Sequence, residues 1–147
     1  MANVFWAEAT PTITAGAYAA GDAIGGLITL GVGGSLPSGV LQYVGLVDKA
    51  KQSGVIDVVF FNATFTATAD NAAFDPTDAD LAAAWLATVA ITAADYSNYN
   101  DNGTASVSAG GVPFVTAGAL YVQLVARGAP TYASTTDLLL KIGILLG

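Results

Sequence analysis

The chain has 147 residues, of which 4 are basic and 11 acidic, so its formal net charge is −7. Charged residues make up 10% and hydrophobic residues 54% of it, whereas an ordinary domain carries roughly a quarter charged residues. Histidine and cysteine do not occur, which excludes disulfides, thiolate metal sites, and catalysis by Ser-His-Asp or Cys-His groups. Four cations neutralise few phosphates, so we expect no binding to nucleic acid.

The longest uncharged stretches are all interrupted or too short to span a membrane. Residues 23–47 contain two Gly-Gly pairs and a proline, and residues 102–126 contain Gly110-Gly111 and Pro113. Residues 81–94 lack such interruptions but fall short of the roughly 20 apolar residues that a span requires. We therefore expect no membrane span, and we expect the apolar surface to face other protein subunits.

The first residues predict an N-terminal arm over 1–12, ahead of a single domain over 13–147. The arm is apolar at Val4, Phe5 and Trp6, and Pro11 interrupts it. Two interpretations stay open at this point. The arm could dock on a neighbouring subunit, or it could be an edge strand packed on its own domain.

Short apolar runs follow, separated by Gly, Pro, Ser and Asn, and this pattern predicts strands. The first three cover residues 23–30, 40–47 and 55–62, with a loop at 33–39 and a turn at 49–54 between them. In the second strand, alternation places four side chains on one face: Val40, Gln42, Val44 and Leu46.

A helix interrupts the strands. An aspartate-rich segment precedes Leu81, and Thr77 or Asp75 can cap a short helix over 78–84. A strand over 87–91 follows it.

Three further strands are predicted over 104–109, 119–127 and 137–146. In the last one, the face opposite Leu138 and Leu140 is only partly polar, so both faces of this strand are expected to be covered. We take six residues as candidate interface positions: Val4, Phe5, Trp6, Leu139, Lys141 and Leu145. In all, about eight strands and one short helix predict an all-β, antiparallel β-sandwich of jelly-roll type.

Two polar clusters are candidate ligand sites. Acids between Asp70 and Asp80 could supply oxygen ligands to calcium, but the EF-hand spacing is missing, and loop polarity with helix capping accounts for them. The second cluster could bind a sugar or a cation, or be a solvated turn. Its candidate ligand residues are Tyr96, Asn98, Tyr99 and Asp101. We expect no metal, no cofactor and no catalytic residues.

Asp57 lies within an apolar strand, where an unpaired buried carboxylate is costly. We expect it to face solvent, with an ion pair to Arg127, to Lys141 or to a neighbouring subunit as the alternative.

Several stretches resemble the capsid decoration (cement) proteins of tailed bacteriophages, small structural proteins encoded near the major capsid gene. The resemblance covers about 15–147, and these stretches carry it: Tyr-Ala-Ala-Gly-Asp-Ala-Ile-Gly-Gly (18–26), Gly-Val-Leu-Gln (39–42), Val-Asp-Lys-Ala-Lys (47–51), Ala-Asp-Asn-Ala-Ala-Phe (69–74), Asp-Ala-Asp-Leu (78–81), Leu-Tyr (120–121), Arg-Gly-Ala-Pro-Thr-Tyr (127–132), Ser-Thr-Thr-Asp-Leu (134–138) and Ile-Gly-Ile-Leu (142–145). It implies a β-sandwich that oligomerises on the outer capsid surface and bridges capsomers.

The function we expect is therefore structural. The chain would be made in the host cytoplasm, assemble with itself as a dimer or trimer, and bind the major capsid protein on the outside of the virion. The alternative is a jelly-roll carbohydrate-binding module that uses the 95–102 loop. An enzyme such as a two-carboxylate glycosidase is the third hypothesis, but no spacing among the acids selects a catalytic pair.

Overall fold

Strands dominate the computed structural model, which describes residues 3–31 and 36–147. The strands in these residues are β1 (Asn3–Ala9), β2 (Ala23–Leu30), β3 (Leu36–Asp48), β4 (Ile56–Phe61), β5 (Trp85–Ile91), β6 (Tyr96–Asn98), β7 (Gly103–Gly118), β8 (Leu120–Ala126) and β9 (Leu138–Leu146). One α-helix, α1 (Asp78–Ala84), precedes β5, and a 3-10 turn at Ala93–Asp95 precedes β6.

The strands form two antiparallel sheets with the orders β1-β9-β3-β7-β6 and β2-β8-β4-β5. Apart from the three-residue β6, the pairing is nested: β1 with β9, β2 with β8, β3 with β7, and β4 with β5. A long hairpin rolled into two sheets produces this order, which is that of a jelly roll. The predicted all-β sandwich is thus confirmed, and β6 is the strand that the sequence pattern did not indicate.

Alternation along β8 and β9 builds much of the core between the sheets. Leu120, Val122 and Leu124 of β8 are fully buried, as are Leu138 and Leu140 of β9. Burial of such side chains contributes about 1.5–3 kcal/mol each. The residues of both strands that enter this core are therefore every second one, as alternation along a strand requires.

The prediction that Val40, Gln42, Val44 and Leu46 share one face of β3 is wrong in the first half of the strand. The pairing register shifts between Leu41 and Tyr43 against both neighbouring strands, because a β-bulge at Gln42 adds one residue to the strand. Leu41, Val44 and Leu46 are buried in the core. Val40 instead lies opposite Leu145 and points away from the core.

Two strands are also longer than predicted. β3 begins at Leu36, so residues 36–39 belong to a strand, and the rest of the predicted loop, 33–35, lies outside the described residues. β7 continues to Gly118 through Gly110 and Gly111, whose φ values of 78° and 74° suit glycine. The helix over 78–84 is confirmed, and the Thr77 hydroxyl caps it by accepting a 3.1 Å hydrogen bond from the Asp80 N–H.

Residues 3–9 form an edge strand of the chain's own sandwich. β1 pairs along β9 from Asn3 opposite Leu146 to Ala9 opposite Leu140. A bilayer-spanning helix does not occur in the described residues. The helix α1 has 7 residues, far fewer than the roughly 20 that a span requires.

Candidate functional site

The chain itself covers the part of the outer face of the four-stranded sheet that β8 and β4 form, whereas Trp85 on β5 is 49% exposed. Segment 62–77, which connects β4 to α1, lies across the covered part. Phe65 stacks on Phe61 with 3.7 Å between ring centroids. The buried Gln123 side chain accepts a 2.9 Å hydrogen bond from the Thr68 N–H and donates one of 2.8 Å to the Thr68 carbonyl. We call this surface the covered face.

Asp70 fixes the same segment to the rest of the fold. Its carboxylate accepts hydrogen bonds of 2.6 Å from the Thr14 hydroxyl, the Tyr18 hydroxyl and the Gly25 N–H. Burial, and then the hydrogen bond to Asp70, raise the pKa of Tyr18 to about 12. The covered face is therefore held by charge-assisted hydrogen bonds as well as by apolar packing.

The outer face of the five-stranded sheet differs, because apart from glycines no outward-facing residue of β1, β9 or β3 is buried. We call the outward-facing positions of β1, β9, β3 and β7 the open face. Its exposed side chains include Val4, Trp6 and Val115, which are 51%, 61% and 72% exposed. Five half-buried apolar side chains lie among them: Val40, Tyr43, Val47, Leu139 and Leu145.

Trp6 lies on the edge strand β1, and its side chain extends across β9 toward β3. Its ring packs over Gly143, its partner in the β1–β9 register, and edge-on to Tyr43 with 5.4 Å between ring centroids. A Cβ on residue 143 would lie 3.0 Å from the Trp6 ring. The glycine therefore makes room for the tryptophan.

Beside Tyr43 the open face contains a shallow depression of about 270 Å³. Its outward-facing lining includes Val47, Thr104, Ser106 and Lys141. The Lys141 ammonium lies 3.3 Å from the Glu8 carboxylate. Glu8 and Lys141 are the charged side chains at the outward-facing positions of these four strands, so the open face is electrically neutral.

Five of the six predicted interface residues meet on the open face. Val4, Trp6, Leu139, Lys141 and Leu145 all point outward in the registers of β1 and β9. Phe5 does not join them, because alternation along β1 turns it inward against the core. Sequence reasoning did not single out Tyr43 and Val47, although they alternate with the buried Val44 and Leu46. The bulge at Gln42 adds Val40 to the same outward face.

The predicted ligand loop makes several contacts within the chain. The Tyr96 hydroxyl donates a 2.7 Å hydrogen bond to the Gly54 carbonyl, and burial raises the pKa of this phenol. The Asn98 amide donates to the Ser53 hydroxyl at 3.0 Å, and Asp101 accepts from the neighbouring Asn100 amide. Tyr99 is 57% exposed and is the aromatic ring in this loop that solvent reaches most freely.

The acidic cluster is likewise engaged in local structure. Asp80 accepts a 3.1 Å hydrogen bond from the Thr66 N–H, and Asp70 holds segment 62–77 as described above. Within the two described ranges, no three acidic side chains come together as a metal site would require.

The expectation that Asp57 faces solvent is wrong, because it is largely buried and forms a 2.6 Å ion pair with Arg127.

No family model matches the chain, and no curated protein matches its sequence.

Proposed function

We propose that this chain is a structural protein of a bacteriophage virion, which decorates and stabilises the capsid by bridging major capsid proteins as a homo-oligomer. It would be made in the host cytoplasm and occupy the outer capsid surface. The support is the resemblance of its sequence to capsid decoration proteins, the jelly-roll fold, and the unequal cover of its two sheets.

The single observation that carries the proposal is the contrast between the open and the covered face. On the covered face, Phe61 and Gln123 are fully buried beneath segment 62–77. On the open face, Trp6 and Val4 are more than half exposed on a regular sheet. Large exposed aromatic residues on a charge-poor surface are typical of protein interfaces.

The charge distribution also supports a role between two kinds of protein surface. Six of the eleven acidic residues lie at the start of β2, on β4 or in residues 70–80, close to the covered face. They are Asp22, Asp57, Asp70, Asp75, Asp78 and Asp80. An acidic side suits basic patches on a shell, whereas a neutral apolar side suits a subunit contact.

The carbohydrate-binding alternative has less support. A sugar site needs aromatic faces and polar groups that are free to meet the ligand, whereas Tyr96 and Asn98 already bond within the chain. Tyr99 alone of the two loop tyrosines is largely exposed.

The test is binding to shells. Purified protein is mixed with empty shells assembled from the major capsid protein of the same genome, the mixture is sedimented, and the pellet is imaged by electron cryomicroscopy. We expect saturable co-sedimentation, density for the sandwich at fixed positions on the outer surface, and a higher melting temperature of the shell. Protein that stays in the supernatant while the shells are intact would contradict the proposal.

A matched pair of variants locates the shell contact. If the acidic side meets the shell, Asp75→Lys weakens co-sedimentation, whereas Asp101→Lys, which makes the same charge change in the loop between β6 and β7, leaves it unchanged. Both sites are exposed, so folding should not be affected.

A further inference from the structure

We infer that the open face of one copy packs against the open face of a second copy, forming a two-fold symmetric dimer with Trp6 and Tyr43 near its centre. The inference deepens the proposed function. It rests on that function, because a capsid-bridging role requires the chain to work as an oligomer. It adds which surface the copies share and which side remains for the shell.

The charge of the chain selects a second copy as the occupant. The formal net charge is −7, so two copies repel each other when they approach through their acidic sides. The open face carries one acid and one base, Glu8 and Lys141, paired at 3.3 Å. Because these two charges cancel, two copies can meet through their open faces without charge repulsion. A basic partner would instead be attracted to the acidic side.

The size of the face is sufficient for such a contact. Four strands spaced by about 4.8 Å, each counted as about nine residues long, cover roughly 19 Å by 30 Å. This is a flat area on the order of 600 Å², and protruding side chains add to it. A stable interface of standard size buries about 800 Å² on each partner. A face-to-face dimer therefore needs little surface beyond these strands.

The side chains on the face are of the kinds that dominate interface energetics. Tryptophan and tyrosine are enriched among the residues that contribute most to binding, and Trp6 contacts Tyr43 edge-on at the middle of the sheet. Trp6 is 61% exposed, and the depression beside Tyr43 lies on the same surface. Both copies use the same patch in a two-fold contact, so the exposed ring of one copy can meet the depression of the other.

Two variants with matched controls test the inference. Ser106 is exposed on the open face, and Ser106→Glu places a new negative charge there on each copy. Thr64→Glu makes the same charge change at an exposed position on the covered side. Trp6→Ala removes the central ring, and Trp85→Ala removes the other tryptophan, which is 49% exposed on β5.

Sedimentation velocity across a concentration series, with circular dichroism as a check on folding, reports the outcome. We expect a dimer for the unmodified chain, for Thr64→Glu and for Trp85→Ala. For Ser106→Glu and Trp6→Ala we expect the dissociation constant to rise by about tenfold or more. Tryptophan fluorescence of the Trp85→Ala variant, which reports Trp6 alone, should shift to the blue as the dimer forms.

Three results would overturn the inference. They are a chain that stays monomeric at every concentration, a dimer that both open-face variants leave intact, and a dimer lost equally in Thr64→Glu. None of these results decides the proposed function, because the shell-binding test measures attachment to a capsid and not dimerisation. Unmodified protein that is monomeric alone but covers its open face on a shell would identify the capsid protein as the occupant instead.

Discussion

The Tyr18 hydroxyl donates a 2.6 Å hydrogen bond to the Asp70 carboxylate, although 52 residues separate the two along the chain. The same carboxylate accepts from Thr14 and from the Gly25 N–H. One acid therefore joins the segment before β2, the β2 strand and segment 62–77. This junction holds segment 62–77 against the four-stranded sheet, whereas no segment of the described chain lies across the open face.

Replacing that carboxylate should destabilise the fold. Asp70→Ala leaves three donors without their acceptor, and we expect a loss of about 2–4 kcal/mol in the free energy of unfolding. Urea denaturation measures it. The exposed Asp75→Ala variant is the control and should change the free energy by less than about 0.5 kcal/mol. Equal effects of the two substitutions would show that Asp70 does not hold the segment.

The Gln123 side chain should protect segment 62–77 from opening. Gln123→Leu keeps the volume but leaves the Thr68 N–H and carbonyl unpaired, which should cost about 1–3 kcal/mol. Hydrogen exchange should then speed up in segment 62–77 before the core strands. The control is Gln52→Leu, which removes an exposed hydrogen bond to the Thr131 N–H that water can replace. Unchanged exchange in segment 62–77 would contradict the assigned role of Gln123.

Alkaline pH should unfold the protein through its buried tyrosines. Burial raises the pKa of Tyr96 and of Tyr132 above the ordinary value, and it raises that of Tyr18 to about 12. An unfolded tyrosine ionises near pH 10. Below about pH 10 the folded and unfolded states bind the same tyrosine protons, so this contribution to stability is fully present there. Above it, the unfolded state loses protons first, and stability falls as the pH rises through about 12.

Urea midpoints measured against pH, together with tyrosinate absorbance, check this expectation. The decline should be shallower in Tyr18→Phe, which lacks one of the three phenols. The chain has six tyrosines, and ionisation of all six in one step without loss of strand structure would contradict the prediction.

A side chain at position 143 should displace Trp6. The Cβ of Gly143→Ala would lie 3.0 Å from both the Trp6 ring and the Tyr43 Cβ, so we expect a loss of about 1–2 kcal/mol from overpacking. The fluorescence of Trp6 should change as its ring moves, measured in a Trp85→Ala background. Gly128→Ala is the control, because a Cβ there meets nothing within 4 Å. A Trp6 signal insensitive to Gly143→Ala would show that the ring does not rest on the glycine.

Local sequence patterns were sufficient to predict most of the elements. Strict alternation in β8 and β9 specifies which side chains enter the core, because successive residues of a strand point to opposite faces. The helix over 78–84 follows from Thr77 and the aspartates around it, since capping depends on neighbours within one turn. β3 was predicted less well, because the bulge at Gln42 exists only through pairing with β7 and β9.

The candidate site was predicted in part. Val4, Trp6, Leu139 and Leu145 were recognised as apolar side chains without an assigned cover, but Phe5 was grouped with them although it faces the core. From the low charge we expected much of the surface to be apolar and to face other subunits. The structure shows that many exposed positions carry small residues such as Ala15, Ala63 and Ala82. Of the large apolar side chains exposed in the described residues, Val4, Trp6 and Val115 share the open face, and Leu27, Leu81, Trp85 and Tyr99 lie elsewhere.

The sequence by itself determined the composition, the excluded chemistry and the local alternation, because each depends on residue types or on neighbours along the chain. Tertiary structure alone decided that β1 pairs with β9, that segment 62–77 covers part of one sheet, and that Trp6, Tyr43 and Leu145 share one surface. These residues are brought together by nested strand pairing over most of the length of the chain. Such contacts leave no short-range pattern, since their partners are chosen by the closure of the whole sandwich.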